Sequence, residues 1–334
     1  AKHRDQAPRL VRQADGSYTP VDRSPELLDG VTRLGIDAIV TIGGDGSLSI
    51  AQKLFELGVP IIGVPKTIDN DVSGTITTFG FDTAVNTAIE AIDKLHTTAE
   101  SHDRVLVMEV MGRHSGWIAA ACGMAQPADA DGPLLLLVPE IHFDRRRFIA
   151  AVRERIARHG YCAVAVAEGI RLADGRRLTQ AGGDGIPAHD QLGGVAPLIA
   201  AMIRRALKVK VHWSVLDYVQ RSARHLASRT DVEQAYAVGR AAIGYALRGL
   251  TDVMPVIVRT NDHPYRWRIA PAPLADLAEE GGEGRDRHYR RPHPRAGSAH
   301  GLCGCESMRH RCDLVGPEAG DSQGAAPLVS RCQR

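Results

Sequence analysis

A lysine, a threonine and two aspartates follow directly after an apolar run in the stretch VPKTIDNDVSG, residues 64–74. In an extended chain Thr67, Asp69 and Asp71 would point to the same side, at steps of about 6.6 Å. Two carboxylates on one side suit a phosphoryl transfer, because one can deprotonate a hydroxyl while the other helps to hold a metal ion. Lys66 would add a point charge for the phosphoryl group. The alternative is a polar loop in which Lys66 and Asp69 merely pair locally.

A glycine-rich loop separates another apolar run from a predicted helix in IVTIGGDGSLSIAQKL, residues 39–54. Gly44 and Gly46 would let backbone N–H groups approach an anion, and the start of the helix adds a favourable dipole. Asp45 would hold a magnesium ion, directly or through water, that neutralises phosphate oxygens. The alternative is a tight strand-to-helix turn in which Ser47 is the N-cap. We therefore expect this loop to bind the phosphates of a donor.

The segment EVMGRHSGWIAA, residues 109–120, follows a third apolar run and leads into a predicted helix. Met111-Gly112 would bring the backbone close to a ligand, and Arg113 would stand at the edge of the sheet. The planar fork of arginine suits a phosphate or a sugar phosphate. Ser115 is predicted to cap the helix, because the adjacent His and Ser side chains rarely point at each other and so do not favour a nucleophile pair.

Two further segments add candidate binding residues. Glu168 follows the apolar run CAVAVA and would accept hydrogen bonds from sugar hydroxyls; the alternative is an ordinary acid at a strand end. In DYVQRSARH, Tyr218 and Arg221 are one helical turn apart.

The elements that must position these groups alternate along the middle of the chain, which predicts an α/β fold. Strands are predicted at 37–42, 60–65, 104–110, 133–139 and 162–168. Helices are predicted over 81–99, with Ala84, Ala88, Ile92 and Leu95 on one stripe, and over 231–248, with Val232, Ala235, Val238, Ala242 and Tyr245 on another. Alternation of this kind indicates a parallel sheet covered by helices, whose ligands bind beyond the carboxyl ends of the strands. Residues 66–71 would lie at such an end.

The bulk properties exclude several classes of protein. The chain has 334 residues and a formal net charge of +2. Near-neutral charge argues against a general nucleic-acid or membrane-surface binder. No apolar run reaches the roughly 18–20 residues of a membrane helix, and no secretory signal is recognised at the N-terminus. We therefore predict a cytoplasmic protein that has neither nucleic-acid nor membrane partners.

The two ends of the chain differ from its middle. Residues 1–30 contain no predicted strand. Leu, Ile and Val total five in residues 279–334, too few for a core, so this tail is predicted to be disordered. Its composition is also what a GC-rich gene gives when read in the wrong frame, and a genuine disordered tail is the alternative. The cysteines and histidine at 303–312 fit no common zinc spacing, so no metal site is predicted there.

Six motifs, in order, resemble the 6-phosphofructokinase family, in particular the bacterial branch that includes diphosphate-dependent enzymes. They are GGDGS (43–47), PKTIDND (65–71), MGRHSGW (111–117), AEG (167–169), QLGGV (191–195) and YVQRS (218–222). The resemblance covers about residues 11–275 and implies two Rossmann-like parallel-sheet lobes with the active site between them. It places the donor lobe at 1–103 and the fructose 6-phosphate lobe at 104–278. The family's first strand and glycine-rich donor loop would precede Asp45, and no match to them is found.

The resemblance also implies a reaction, namely Mg²⁺-dependent phosphoryl transfer to the 1-hydroxyl of fructose 6-phosphate, giving fructose 1,6-bisphosphate in glycolysis. Asp69 would be the base, and Arg113 and Lys66 would stabilise the phosphoryl group. The implied substrate-binding residues are Thr67, Ile68, Asp69, Arg104, Met111, Gly112, Arg113, Glu168, Tyr218 and Arg221. The implied donor-binding residues are Gly44, Asp45, Gly46, Ser47 and Lys66, with Asp45 as the metal ligand.

The phosphoryl donor and the assembly are also expectations from the resemblance. An acid at the position of Gly46 is associated with rejection of ATP, so glycine there leaves room for a nucleotide. Lys66 is frequent in diphosphate users, and diphosphate is slightly favoured over ATP. Arg104 matches an arginine that reaches a neighbouring subunit's 6-phosphate site, which implies a homodimer or homotetramer. The alternative function is a catalytically silent family member or fragment that binds sugar phosphate.

Overall fold

The computed structural model describes residues 8–12, 18–125, 132–181, 193–261 and 264–277. Within this part of the chain there are two compact units. The first contains the described residues up to 67, together with 71–79 and 232–277, and the second contains 68–70 and 80–231. The chain therefore passes from one unit to the other four times. Every helix in the described part is too short or too polar to cross a bilayer.

The elements alternate as the sequence predicts. The strands are β1 (Pro8–Arg12), β2 (Tyr18–Asp22), β3 (Ile39–Gly43), β4 (Ile61–Pro65), β5 (Val105–Val110), β6 (Leu134–Leu137), β7 (Cys162–Ala167), β8 (Val211–Val215), β9 (Val253–Asn261) and β10 (Arg266–Pro273). The α-helices are α1 (Ser24–Arg33), α2 (Asp45–Glu56), α3 (Phe81–Glu100), α4 (Trp117–Ala121), α5 (Arg145–His159), α6 (Leu178–Ala181), α7 (Val195–Leu207) and α8 (Arg229–Leu247). Short 3₁₀ helices cover Cys122–Ala125, Asp217–Gln220, Arg224–Leu226 and Leu274–Leu277.

The first unit is built on a four-stranded sheet of order β10-β9-β4-β3. Consecutive residues of β4 face opposite sides, because Ile61 packs with Leu48 of α2, whereas Ile62 packs with Val238 and Ala242 of α8. This two-sided burial explains why the strand is apolar throughout. β3, β4 and β9 are parallel, but β10 runs antiparallel to β9, since only residues 262–265 separate them and a parallel crossover needs a longer connection.

The second unit is built on a wholly parallel sheet of order β6-β7-β5-β8. Met108 faces α3 and α4, where it packs with Ile92 and Ile118, and Val107 faces α7, where it packs with Ile199. Both faces of the sheet are therefore covered by helices, and all five predicted strands of the chain are confirmed. The α/β prediction is confirmed as well.

The prediction that residues 1–30 contain no strand is wrong. β1 and β2 form a two-stranded antiparallel sheet in which Arg12 lies opposite Tyr18. The sequence did carry a signal for this hairpin, because the pair Asp15-Gly16 stands between the two short segments and Asp-Gly is a frequent hairpin turn.

One residue of the second predicted helical stripe is misplaced. Val238 and Ala242 are fully buried in α8, but Val232 is 56% exposed. At about 100° per residue, Val232 lies some 240° around the helix from Val238, so the two cannot share one face. The stripe predicted for 81–99 is confirmed, because Ala84, Ala88 and Ile92 are buried and Leu95 packs against them.

The two units also differ from the predicted domain boundary at 103/104. α3 belongs to the second unit, since its buried face shares a core with β5 and β7. Residues 232–277 belong to the first unit, since β9 pairs with β4. Because the chain returns to the first unit after residue 231, a single boundary cannot divide the sequence into these two units. The predicted disordered tail, 279–334, lies outside the described residues, and the functions predicted for the lobes remain predictions.

Candidate active site

The turns that follow β5 and β7 lie against each other at the centre of the candidate site. Glu168 N donates to the carbonyl of Val110 at 3.0 Å, and Gly169 N donates to the carbonyl of Gly112 at 3.1 Å. Gly112 has a φ of +144°, and a Cβ on Gly169 would overlap the carbonyl of Arg113. Glycine is therefore needed at both positions for these turns to pack together.

Ser115 connects this pair of turns to the segment that carries Asp69. The buried Ser115 hydroxyl donates to the carbonyl oxygen of Asp69 at 2.8 Å. The prediction that Ser115 caps the following helix is wrong, because the N-cap of α4 is Gly116. The hydroxyl instead fixes the backbone of Asp69 to the loop that holds Arg113.

Glu168 is the most perturbed acid of the site. Burial raises the pKa of its carboxyl to about 7, against the opposing hydrogen bond from Gly112 N, while the negative charges of Asp69 and Glu109 raise it further and Arg113 lowers it. The Gly112 N–H donates to Glu168 Oε1 at 3.4 Å. At neutral pH both protonation states are therefore populated, so that this carboxyl can accept a hydrogen bond from a hydroxyl or donate one.

A cavity of about 490 Å³ opens beside Glu168. Its walls include Glu109, Met111, Glu168, Gly193, Gly194 and Asp217. Sequence reasoning identified Met111 and Glu168 but missed the other four as wall residues. The quoted motif QLGGV was a signal for the two glycines, whereas no local pattern distinguishes Glu109 from other strand residues.

The predicted pair Tyr218 and Arg221 follows β8 in a 3₁₀ turn, where Arg221 N donates to the carbonyl of Tyr218 at 3.0 Å. Arg221 Nε donates to Met111 Sδ at 2.8 Å, which brings this arginine to the cavity wall. The Tyr218 side chain is largely exposed. Ile68 is buried in the core beneath α3, so only its backbone is available to a ligand.

Arg104 lies apart from these residues. It precedes β5, whereas the loop that holds Arg113 follows β5, so the two arginines are separated by the length of a six-residue strand, roughly 20 Å. Arg104 Nε is buried and has no hydrogen-bond partner among the described residues. The structure therefore does not bring Arg104 to the cavity of its own chain.

The glycine-rich loop belongs to the first unit. Gly44 is the N-cap of α2 and provides no side-chain hydrogen bond to it. The alternative in which Ser47 is the N-cap is wrong, because Ser47 lies inside the first turn, where its N–H donates to the carbonyl of Gly44 at 3.0 Å. A Cβ on Gly43 would overlap the Ser47 side chain. The start of α2 therefore presents backbone N–H groups without a side chain from its N-cap residue, which suits phosphate binding at a helix N-terminus.

Lys66 and Thr67 lie beside this loop. Lys66 N donates to the carbonyl of Gly43 at 2.7 Å, and a Cβ on Gly44 would be in contact with Thr67 Cβ at 3.5 Å. The Thr67 carbonyl is held by the buried Thr78 hydroxyl at 2.9 Å. The chain then passes into the second unit between Thr67 and Ile68. Lys66 and Thr67 are therefore grouped with the predicted donor residues, and Asp69 with the predicted acceptor residues.

The donor set around the glycine-rich loop fits a magnesium ion that arrives with phosphates. Among the residues that the structure describes, no group of three or more His, Cys, Asp or Glu side chains could hold a metal ion. Asp45, the first residue of α2, offers one carboxylate. Because Mg²⁺ is commonly bound through one or two carboxylates plus substrate phosphates, a single acid is compatible with such a site.

Known proteins are similar to this chain in sequence and in structure. The model of the phosphofructokinase family matches residues 12–245. A Methylococcus capsulatus protein named pyrophosphate–fructose 6-phosphate 1-phosphotransferase is 48% identical over 245 residues, which are 71% of this chain and 58% of that protein. A Streptomyces coelicolor protein named ATP-dependent 6-phosphofructokinase 3 is 43% identical over 247 residues, 69% of this chain and 71% of that protein.

A solved structure, the pyrophosphate-dependent phosphofructokinase from Nitrosospira multiformis, superposes with a TM-score of 0.68 at 37% identity and covers 76% of this chain and 63% of that one. The chain thus spans about three fifths of the length of the diphosphate-dependent relatives that it matches. The family match extends over most of the chain and includes both the glycine-rich loop and the turns around Glu168. The chain belongs to the phosphofructokinase family.

Proposed function

We propose that the chain is a 6-phosphofructokinase, which transfers a phosphoryl group to the 1-hydroxyl of fructose 6-phosphate and so serves glycolysis in the cytoplasm. The observation that carries the proposal is the hydrogen bond from Ser115 to the Asp69 carbonyl. It attaches the predicted base to the loop of the predicted phosphoryl-binding arginine, Arg113, next to the cavity beside Glu168.

The second unit would bind the acceptor. Asp69 would take the proton of the 1-hydroxyl while Arg113, with its planar fork, stabilises the transferring phosphoryl group. Glu168, with a pKa of about 7, would bind a sugar hydroxyl. Met111, Gly112, Tyr218 and Arg221 would complete the sugar-phosphate site. Because the phosphoryl group itself does little covalent chemistry with the protein, positioning and charge stabilisation supply most of the catalysis.

The first unit would bind the donor. The backbone of Gly44–Ser47 at the start of α2 and the Lys66 ammonium would bind donor phosphates, with Thr67 beside them. When bound through Asp45, Mg²⁺ would neutralise phosphate charge. Diphosphate is slightly favoured over ATP as donor, because Lys66 and the names of several similar proteins point to it, whereas Gly46 leaves room for a nucleotide.

Arg104 suggests an assembly. Its position before β5, away from the cavity of its own chain, supports a role in the 6-phosphate site of a neighbouring subunit. The proposal therefore includes a homodimer or homotetramer.

The test is turnover of the purified chain with fructose 6-phosphate and Mg²⁺, with diphosphate and ATP offered in separate runs. Formation of fructose 1,6-bisphosphate is expected with at least one donor, and the preferred donor decides between Lys66 and Gly46 as the better indicator. A folded chain that binds fructose 6-phosphate by calorimetry yet forms no product with either donor would contradict the proposal. It would establish the second candidate, a silent sugar-phosphate binder.

A further inference from the structure

We propose that Glu109 is a positioning residue that holds three walls of the sugar-phosphate cavity in place, and that its carboxylate occupies the anion site of α7. The inference rests on the proposed function, because it assigns to this cavity the binding of fructose 6-phosphate. Neither the mechanism above nor the sequence motifs give Glu109 a role.

The side chain of Glu109 connects β5 to α7. Glu109 is an acid and the next-to-last residue of the buried strand β5, yet it is only 2% exposed. Its Oε2 accepts a hydrogen bond from Ala196 N at 2.8 Å. Burial raises the pKa of this carboxyl, and the N–H groups of Ala196, Gly194 and Val195 oppose that rise. A buried charge without such partners would cost several kcal/mol, so these hydrogen bonds are what makes an acid tolerable at this position.

The backbone of the same residue fixes a third wall. The carbonyl of Glu109 accepts a hydrogen bond from Leu216 N at 3.1 Å, directly before Asp217 at the cavity. One residue therefore connects the strand that leads to Met111, the turn at Gly193-Gly194 and the segment after β8. Loss of the side chain would release the glycine turn while leaving the backbone contact to Leu216 in place.

The carboxylate also determines what the cavity can recognise. The first N–H groups of a helix are a ready anion site, and in α7 Glu109 already occupies it. A ligand phosphate therefore has no access to the dipole of α7, and the carboxylates of Glu109, Glu168 and Asp217 around the cavity would repel it. The geometry points to a cavity that receives the hydroxyl-bearing part of the sugar, with the phosphate bound by arginines outside it.

The decisive experiment compares Glu109→Ala and Glu109→Gln with Asp231→Asn as a matched control. Asp231 is also a buried carboxylate that accepts N–H bonds at a helix start, from Gly80 and Thr83, but it does not line the cavity. The measurements are the dissociation constant of fructose 6-phosphate by calorimetry, the midpoint of thermal unfolding, and hydrogen exchange of the amides at 194–196.

Glu109→Ala is expected to weaken fructose 6-phosphate binding by about tenfold or more, because the released glycine turn must be ordered again when the sugar binds. Exchange at 194–196 should accelerate, and the affinity for diphosphate or ATP should stay unchanged. Glu109→Gln should recover part of the affinity, since its amide oxygen can still accept from Ala196. Asp231→Asn should lower the unfolding midpoint without changing the sugar-phosphate affinity.

Two outcomes would overturn the inference. If Glu109→Ala lowers only the unfolding midpoint, as the control does, Glu109 is a structural cap without a positioning role. If exchange at 194–196 is unchanged in Glu109→Ala, the carboxylate does not hold the glycine turn. Absence of fructose 6-phosphate binding by the unmodified chain would instead refute the proposed function, and the exchange measurement would then decide alone whether Glu109 fixes this turn.

Discussion

The N-termini of the helices are capped differently in the two units. In the second unit the chain's own carboxylates accept from them: Asp231 bonds to the N–H groups of Gly80 and Thr83 at the start of α3, each at 2.7 Å, and Glu109 bonds to the start of α7. In the first unit the N-cap of α2 is Gly44, which has no side chain that could accept from the helix start. At α3 and α7 the protein itself therefore supplies the anion. Where phosphate is the expected ligand, the cap residue is bare backbone.

Among the changes that test the proposed division into a donor and an acceptor unit, Asp69→Asn should have the largest effect on activity. Asn keeps the size of the side chain but cannot take the proton of the 1-hydroxyl, so kcat should fall by about 10²–10⁴-fold. The affinity for fructose 6-phosphate should change little. Steady-state kinetics together with calorimetry measures both quantities. Asp103→Asn, at an exposed position outside the site, is the control, and wild-type kcat in Asp69→Asn would refute the assignment of the base.

Gly46→Asp would give α2 a carboxylate of the kind that α3 and α7 already receive. We expect affinity for ATP to fall by about tenfold, because the added charge repels phosphate at a site where the helix dipole had favoured it. Affinity for fructose 6-phosphate should be retained. The two dissociation constants can be measured separately by calorimetry.

Gly30→Asp is the control for Gly46→Asp. It adds the same charge to α1 of the same unit, where a Cβ would meet no atom within 4 Å. Equal ATP affinity in Gly46→Asp and the unmodified chain would show that the start of α2 does not bind ATP.

Glu168→Gln tests whether Glu168 of the proposed acceptor unit binds the sugar. Burial raises the pKa of Glu168 to about 7, so in the unmodified chain the ionised acceptor becomes populated as the pH rises through that value. Fructose 6-phosphate affinity should therefore rise between pH 6 and pH 8 and become nearly flat in the variant, which should bind several-fold more weakly at pH 8. Glu140→Gln, which removes another carboxylate bonded to a helix start, should keep the pH dependence. A flat profile in the unmodified chain would contradict the prediction.

Asp82→Asn should have the smallest effect on activity and act on stability instead. Burial raises the pKa of Asp82 from 3.8 to about 6, and the charge of Asp231 adds to the shift. The folded chain thus holds a proton more tightly than the unfolded chain, so ionisation destabilises the fold as the pH rises through about 6. The variant should be more stable by about 1–3 kcal/mol at pH 8, and this gain should vanish as the pH falls to about 4.

Urea unfolding at both pH values measures the effect of Asp82→Asn. Asp93→Asn, exposed on the same helix, is expected to change the free energy of unfolding by less than about 0.5 kcal/mol at either pH. If Asp82→Asn raised the free energy of unfolding equally at both pH values, ionisation of the Asp82 carboxyl would not be the cause of the gain.

The sequence predicted the elements better than the contacts between them. Strand β5 and the MGR loop are visible because apolar runs and glycines are local signals. The bond from Ser115 to Asp69 joins residues 46 apart, and that from Ala196 to Glu109 joins residues 87 apart. No local pattern reports such pairs. For the same reason Ser115 was misassigned as a cap, since its type and position fit a helix start equally well.

The predicted domain division differs from the two compact units for a related reason. Periodicity identifies the helix at 231–248, but it does not say which sheet that helix covers. The answer depends on Ile62 and Val238 meeting in one core, which is a property of the folded chain alone. The walls of the cavity come from four separate segments, which no pattern within one motif reports.

The pairing of β4 with β9 has a consequence for biosynthesis. Ile62 lies opposite Val253, about 190 residues later in the chain. At a ribosomal rate of roughly 5–20 residues per second, β4 emerges some 10–40 s before its partner strand exists. The second unit can form its sheet during that interval. Over most of the same interval, β4 of the first unit is neither paired with β9 nor covered by α8. The nascent first unit is therefore the part of the chain that would depend on a chaperone during translation.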